Sequence, residues 1–323
     1  MRFNWFSPGE RLKLPLLVVT LMIGGVVHAQ KDTLSFLHIT DMHLLFNLEN
    51  YDPDIVHHRV VTRNYKEANN TFEQFMERIP DKTGSDMIIA TGDMIDFHDS
   101  PTTEGNVVAN QVELFARFIE RYHEPFYMIL GNHDTFSYQW GKNKVIPDQL
   151  KQGAARAAWI RNFDCFRDGS YYSRTYEVGA TTYRLIFLDN SFYRFRKEEM
   201  MVNPYIDKPQ LHWLQAELAA SDDDVEIILM HIPFTEASAL PASNNELYAA
   251  LSSVPSVRMI FAGHFHKGAM IRFPTAEKRE IVQVGTDALV SGADRWRLVR
   301  LTEEQIMVST MGTTESELVI PAK

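Results

Sequence analysis

Cysteine is almost missing from this chain: 323 residues contain one, Cys165, so no intramolecular disulfide can form and the fold rests on its core and on any metal it binds. Cys165 lies in Phe163-Asp164-Cys165-Phe166 and reads as a small buried hydrophobe rather than a reactive thiol. Long apolar runs are scarce as well. The one near the N-terminus, Leu14 to Val27, is shorter than the roughly 20 residues a spanning helix needs and is interrupted by Pro15, Gly24 and Gly25. Basic charge is in deficit too, since 32 Lys and Arg face 42 Asp and Glu for a formal net charge of −10. Long nucleic acids bind mainly through basic residues meeting phosphates, so none is expected as a partner. There is no internal repeat and no low-complexity tract.

What the N-terminus does carry is a leader pattern. Arg2, Arg11 and Lys13 outnumber Glu10, the apolar run follows, and Val27-His28-Ala29 offers small residues where a signal peptidase reads. Residues 1–29 are therefore expected to be a cleaved signal peptide, cut at Ala29/Gln30, with export to a periplasm or the outside and no stable membrane span afterwards. No cysteine sits just after the cut, which excludes lipid attachment of the bacterial lipoprotein kind. Cleavage leaves 294 residues, 30–323, expected to form a single domain. It also removes three positive charges and one negative, taking the net charge to −12. A small anionic substrate stays compatible with such a surface if the site itself is locally positive.

Along the chain, short apolar runs alternate with helical stretches. Ser35 to Thr40, Asp86 to Thr91 and Phe126 to Leu130 read as strands, with helices at Glu67 to Ile79 and Val107 to Tyr122 between them. Such alternation implies a buried, largely parallel β-α-β sheet. The second half adds strands at Tyr183 to Leu188, Glu226 to Met230 and Arg258 to Ala262, with helices near Gln210 to Ala220 and Asn244 to Ser252. After His266, the segments Ala269 to Phe273, Glu280 to Val284, Arg295 to Leu301 and Gln305 to Thr310 read as antiparallel strands. Two packed sheets flanked by helices fit this order, an α/β fold. Leu45 to Arg63 and, outside the Tyr183 strand, Thr135 to Asp207 show no regular period. Their Tyr138, Trp140, Phe192, Tyr193, Arg194 and Arg196 are candidates for a substrate-facing rim.

Five short motifs each follow an apolar run: Asp41-Met42-His43, Gly92-Asp93-Met94-Ile95-Asp96, Gly131-Asn132-His133-Asp134, His231, and Gly263-His264-Phe265-His266. They sit at the carboxyl ends of expected strands, where open α/β sheets place ligands. Gly92, Gly131 and Gly263 allow the chain to turn sharply there without a Cβ penalty. Imidazole and carboxylate donors with one amide oxygen, from Asn132, suit zinc, iron or manganese. Two such divalent ions against Asp41 and Asp93 leave the site locally positive. His57, His58, His98, His123 and His212 lie outside these motifs and read as surface or packing residues; His38, on the first strand, is placed either to support Asp41 or simply to pack.

In their order and spacing these motifs resemble the calcineurin-like metallophosphoesterases, whose pattern is D-x-H, G-D, G-N-H-[DE], a lone H and G-H-x-H. The resemblance spans residues 35 to about 310 and implies a four-layer α/β/β/α sandwich of two mixed sheets. It implies two metal ions, one held by Asp41, His43 and His266, the other by Asn132, His231 and His264, with Asp93 between them. It gives His133 the role of stabilising or protonating the phosphoryl group, and Asp96 that of orienting His133 and raising its pKa. The reaction implied is hydrolysis of a small phosphomonoester or phosphodiester by a metal-bound hydroxide. Two departures narrow the subfamily. Purple acid phosphatases carry a tyrosine ligand where this chain has Asp96 and lack the histidine found here as His43; protein phosphatases carry an arginine where this chain has Phe97. The opening His38-Ile39-Thr40-Asp41-Met42-His43-Leu44 is similar to that of bacterial cyclic-nucleotide phosphodiesterases. Cyclic-nucleotide, lipid or pyrophosphate-type substrates are alternatives, and a non-catalytic metal-binding interaction module is the alternative from another class.

Overall fold

A computed structural model describes residues 31–140, 145–193, 205–221, 224–235, 245–275 and 279–323. The expected leader, together with Arg194 and Arg196, lies outside the described residues. The elements run β1 (Thr33–Ile39), α1 (Pro53–His57), α2 (Ala68–Thr83), β2 (Met87–Thr91), β3 (Ser100–Pro101), β4 (Val107–Val108), α3 (Gln111–Ile119), β5 (Phe126–Ile129), β6 (Ser137–Trp140) and β7 (Val145–Asp148). They continue with α4 (Gln152–Asn162), β8 (Tyr172–Val178), β9 (Thr181–Phe187), α5 (Lys208–Ala219), β10 (Val225–Leu229), α6 (Asn245–Ser252) and β11 (Val257–Ala262). The last five strands are β12 (Ala269–Pro274), β13 (Glu280–Gly285), β14 (Arg297–Thr302), β15 (Gln305–Ser309) and β16 (Ser316–Pro321).

Two six-stranded sheets organise these strands, in the orders β16-β15-β14-β1-β2-β5 and β12-β13-β11-β10-β9-β8. In the first, β1, β2 and β5 are mutually parallel and β14 to β16 run antiparallel. In the second, β9, β10, β11 and β13 are parallel, with antiparallel β8 and β12 at the edges. The central strands β2 and β10 are buried at every position, as the continuous runs Met-Ile-Ile-Ala-Thr and Val-Glu-Ile-Ile-Leu require of strands covered on both faces. One apolar core spans both sheets. Phe36 of β1 meets Phe261 of β11 edge-on at 5.5 Å, and the Tyr183 hydroxyl of β9 donates to the Thr302 carbonyl at 2.7 Å, so the sheets pack face to face.

Helices flank this pair. On α2, Phe72, Phe75 and Met76 recur at helical spacing and are buried; Phe72 packs against Phe118 of α3 and Phe126 of β5. Gly84, at φ 59, ends α2 by donating to the Pro80 carbonyl at 2.8 Å, a left-handed cap for which glycine carries no Cβ cost. On the second sheet, Tyr248 of α6 rests on Phe273 of β12, and Glu217 of α5 binds Arg184 of β9. The expected two mixed sheets flanked by helices are thus the observed architecture.

Several local expectations need correction. The helix expected over Val107 to Tyr122 is shorter: the β-branched pair Val107-Val108 forms a small hairpin with Ser100–Pro101, and the helix covers only Gln111–Ile119. The stretch Thr135 to Asp207, expected to be irregular, holds the β6–β7 hairpin, α4 and β8 besides β9. Glu280 to Val284, expected to be antiparallel, pairs that way with β12 but parallel with β11. Cys165 is half-buried, and burial pushes its thiol up to about 11, in keeping with an inert side chain.

Candidate metal centre

The parallel strands of both sheets stop together, and the five motif loops emerge there. Asp41 and His43 follow β1, Asp93 follows β2 and Asn132 follows β5 in the first sheet; His231 follows β10 and His264 and His266 follow β11 in the second. Backbone pairing continues past the strand ends: Asp41 N donates to the Gly92 carbonyl at 3.0 Å, His43 N to that of Asp93 at 2.9 Å, and Gly263 N to that of His231 at 3.0 Å. The loops are therefore held as rigidly as strands.

That rigidity includes backbone strain. Seven non-glycine residues among those described have positive φ, and five of them are Asp41 (52°), His43 (48°), Asp93 (53°), His264 (71°) and His266 (56°). Left-handed backbone costs a Cβ-bearing residue on the order of 1 kcal/mol or more, and such strain persists where the surroundings over-determine it, commonly at functional sites. The glycines give way instead of the ligands. A Cβ on Gly131 would fall on the carboxylate and backbone nitrogen of Asp93, and one on Gly263 would fall on the Thr40 hydroxyl.

Donor atoms converge in groups. One atom each from Asp41, His43 and His266 lie within 4.8 Å of one another, and the same holds for Asp41, Asp93 and His231. Asp41 Oδ1 is buried without a hydrogen bond, yet lies 3.2 Å from His266 Nε2 and 3.9 Å from His43 Nε2. His43 Nε2 and His266 Nε2 also face each other at 3.2 Å. A second group surrounds Asn132 Oδ1, with His231 Nε2 at 3.1 Å and His264 Nδ1 at 2.9 Å. Asp93 Oδ2 stands between the two, 3.8 Å from His43 Nε2 and 3.2 Å from His231 Nε2. All seven expected ligands are brought together. Facing imidazole nitrogens, an orphaned buried carboxylate oxygen and an amide oxygen form a donor set that fits two divalent cations.

Outer contacts orient the donors. His231 Nδ1 meets the Thr91 carbonyl at 2.7 Å, so it carries a ring proton and turns Nε2 toward Asp93 and Asn132. Asn190, just past β9, accepts from His231 N and Ile232 N at 3.1 Å each and donates to the Ile232 carbonyl at 2.7 Å, clamping that turn. Asp134 accepts from Gly131 N, Asp93 N and Ile95 N at 2.7, 2.8 and 3.1 Å, tying two motif loops together. The motif spelled out Asp134 but gave it no role; nothing in the sequence singled out Asn190. His38 is fully buried between the sheets, contacting Thr91 Oγ1 at 2.8 Å and Thr286 Oγ1 at 2.7 Å, and so links the two. His57, His58, His98, His123 and His212 join none of the donor groups found among the described residues.

Electrostatics follow from burial and neighbours. Burial lowers the His231 imidazole, but Asp93 beside it prevails and raises it to about 9. Burial, little opposed, lowers His264 to about 4. At Asp96 burial works against ionisation, yet the Arg59 guanidinium holds the carboxyl well below its ordinary range. Asp96 does pull the His133 pKa upward, as expected, but burial outweighs that pull and the pull of Asp93 and lowers the imidazole to about 4. The Asp96 contact differs too, because His133 Nδ1 lies 2.8 Å from the backbone carbonyl of Asp96 and 3.5 Å from its carboxylate. The Tyr138 hydroxyl stands 3.2 Å from the same nitrogen. Of the rim candidates, Tyr138 and Tyr193 are buried supports, Phe192 lies under the Arg156 guanidinium, and the side chain of Trp140 lies outside the described residues.

Known proteins agree with this architecture. The chain is 24% identical over 232 residues to a probable cyclic nucleotide phosphodiesterase of Fibrobacter succinogenes, covering 68% of this chain and 75% of that relative. Its fold is similar to that of a dimetal phosphatase from Danio rerio, with TM-score 0.54, 16% identity, and 90% of this chain and 99% of that one covered. It is also similar to GAP50, described as the anchor in the inner membrane complex of Plasmodium, with TM-score 0.50, 11% identity, and coverage of 90% and 89%. The calcineurin-like phosphoesterase family matches residues 34–268, so the chain belongs to that family of metal-dependent phosphoric ester hydrolases.

Proposed function

We propose that this protein is an exported dinuclear-metal phosphoesterase acting on a small phosphomonoester or phosphodiester. The observation that carries the reading is the convergence of seven donors, from loops of both sheets, on two adjacent groups with Asp93 between them. Asp41, His43 and His266 would hold one ion, Asn132, His231 and His264 the other, and Asp93 both. Two divalent ions, when bound, supply an activated water and neutralise phosphoryl charge. His133 is the group left over for the substrate. The Asp96 carbonyl can only accept, so Nδ1 of His133 keeps the ring proton. A phosphoryl anion beside the ring favours its protonated form, and the other ring nitrogen then donates to the leaving oxygen.

The name of the Fibrobacter relative and the similar opening motif favour a cyclic-nucleotide diester as the second reading. A panel tests both: p-nitrophenyl phosphate, bis(p-nitrophenyl) phosphate and 3′,5′-cyclic nucleotides, with chelator-stripped and manganese-reloaded protein. Metal-dependent turnover is expected, and Asp93→Ala should lower it at least ~1,000-fold, in line with the several kcal/mol a metal clamp supplies. Undiminished activity in the stripped variant would sink the reading. Metal binding with no hydrolysis across the panel would make the chain an interaction module instead. Export is checked separately: the mature protein recovered from an exporting host should begin at Gln30, and retention of Met1 would overturn it.

A further inference from the structure

The stretch Leu45 to Arg63, which shows no period in the sequence, sends one charged side chain into the protein. Arg59 is 2% exposed and lies one helical turn beyond Ile55 on the same inward face, where α1 widens into a π-turn over His58–Thr62. Its guanidinium grips a single carboxylate at two points, Nε to Asp96 Oδ2 and Nη2 to Asp96 Oδ1, each at 2.6 Å. The rings of Tyr138 and Tyr65 flank it at 4.7 and 5.3 Å. The same Oδ1 lies 3.2 Å from His43 Nδ1. A carboxylate only accepts, so His43 donates from Nδ1 and its Nε2 lone pair is left facing Asp41 and His266. Tyr65 stacks flat on the His43 ring, with centroids 4.5 Å apart and planes 16° apart, which closes the other side of the imidazole.

We propose that Arg59 is a positioning residue for the half of the metal centre made by Asp41, His43 and His266. By fixing the plane of the Asp96 carboxylate, it fixes the tautomer and the tilt of His43. The inference rests on the dinuclear reading of the site. Its reach is one-sided: His231 is oriented by Thr91 and Asn190, and none of the contacts of Asn132, His231 or His264 runs through Asp96. Arginine is needed rather than any cation, because only a planar fork holds both carboxylate oxygens at once.

Isothermal titration of manganese into chelator-stripped protein tests this without relying on turnover. Wild type should show two equivalents. Arg59→Lys and Arg59→Ala should weaken one equivalent about 10- to 100-fold, the usual effect of removing an outer partner of a metal-bound histidine, and leave the other unchanged. Asp96→Asn should weaken the same equivalent, and adding Arg59→Ala to it should cause no further loss, since both act through one contact. Unaltered affinity at both sites, equal weakening of both, or additive losses in the double variant would each overturn the proposal. Should Arg59→Ala fail to fold, Arg59→Lys, which keeps the buried charge, decides the matter. Wild type that binds two manganese ions but hydrolyses nothing would defeat the catalytic reading and leave this result standing; wild type that binds none would defeat both.

Discussion

Asp93 is caught between two demands. Its Oδ1 accepts from His133 N at 2.8 Å while its Oδ2 faces both histidine groups, so its backbone must stay at φ 53 against its own Cβ. Gly131 makes this affordable by leaving room where a side chain would press on Asp93. Gly131→Ala is therefore expected to act at a distance from its own volume. It forces Asp93 to move, and a displacement of about 1 Å at such a centre can cost on the order of 100-fold in rate. The check is kcat and manganese content measured together: a near-normal value of both would mean that the turn has slack the geometry does not suggest. Gly153 is the matched control, since a Cβ there meets nothing within 4 Å.

Among the elements, the lower ends of β1 and β2 are joined by one carboxylate. Asp86 accepts from Ser35 N at 2.7 Å, Ser35 Oγ at 2.9 Å and Lys31 Nζ at 2.5 Å. Burial opposes its ionisation, but Lys31 and Ser35 prevail and its pKa lies below the ordinary 3.8. A depressed carboxyl stabilises the fold above its unfolded pKa and loses that contribution as pH falls through the folded one. Asp86→Asn should thus lower stability by about 1 kcal/mol at pH 7, a typical hydrogen-bond contribution, with the gap closing below about pH 4. Urea denaturation at several pH values reads this directly; a gap that stays constant with pH would remove the carboxylate from the account. The strands that Asp86 ties were legible in the sequence because burial on both faces leaves continuous apolar runs. The edge strands β8 and β16 were not: they are rich in polar residues, are exposed or half-exposed at most positions and carry no such run. The ligand loops were legible because their residue types are scarce and follow strand ends. Arg59 and Tyr65 were not, because what buries them is Asp96 and His43, contributed by other loops, and no local pattern encodes a partner so far along the chain.

For the molecule as a whole, the proposed metal centre would double as a fastening between two sheets. Its donors are divided between them, four from the loops of β1, β2 and β5 and three from those of β10 and β11. Besides the contacts among the donor atoms themselves, the junction is crossed at the site by bonds such as His264 N to Asp41 Oδ2 at 2.9 Å, His231 Nδ1 to the Thr91 carbonyl at 2.7 Å, Leu289 N to the Thr40 carbonyl at 2.9 Å, and the His38–Thr286 contact at 2.7 Å. An ion ligated from both sides binds the folded state and has no comparable site once the sheets separate. Each equivalent at a free concentration of 100 times its dissociation constant adds about 2.7 kcal/mol. For a domain of this size each kcal/mol moves the midpoint by about 2 °C, so two ions should raise Tm by roughly 10 °C over chelator-treated protein. Differential scanning calorimetry across a manganese series checks it. Asp93→Ala, lacking the residue shared by both groups, should show a much flatter rise with manganese. If wild type melts at the same temperature with and without chelator, the ions do not span the sheets, and the two donor groups must be assigned a role other than holding them.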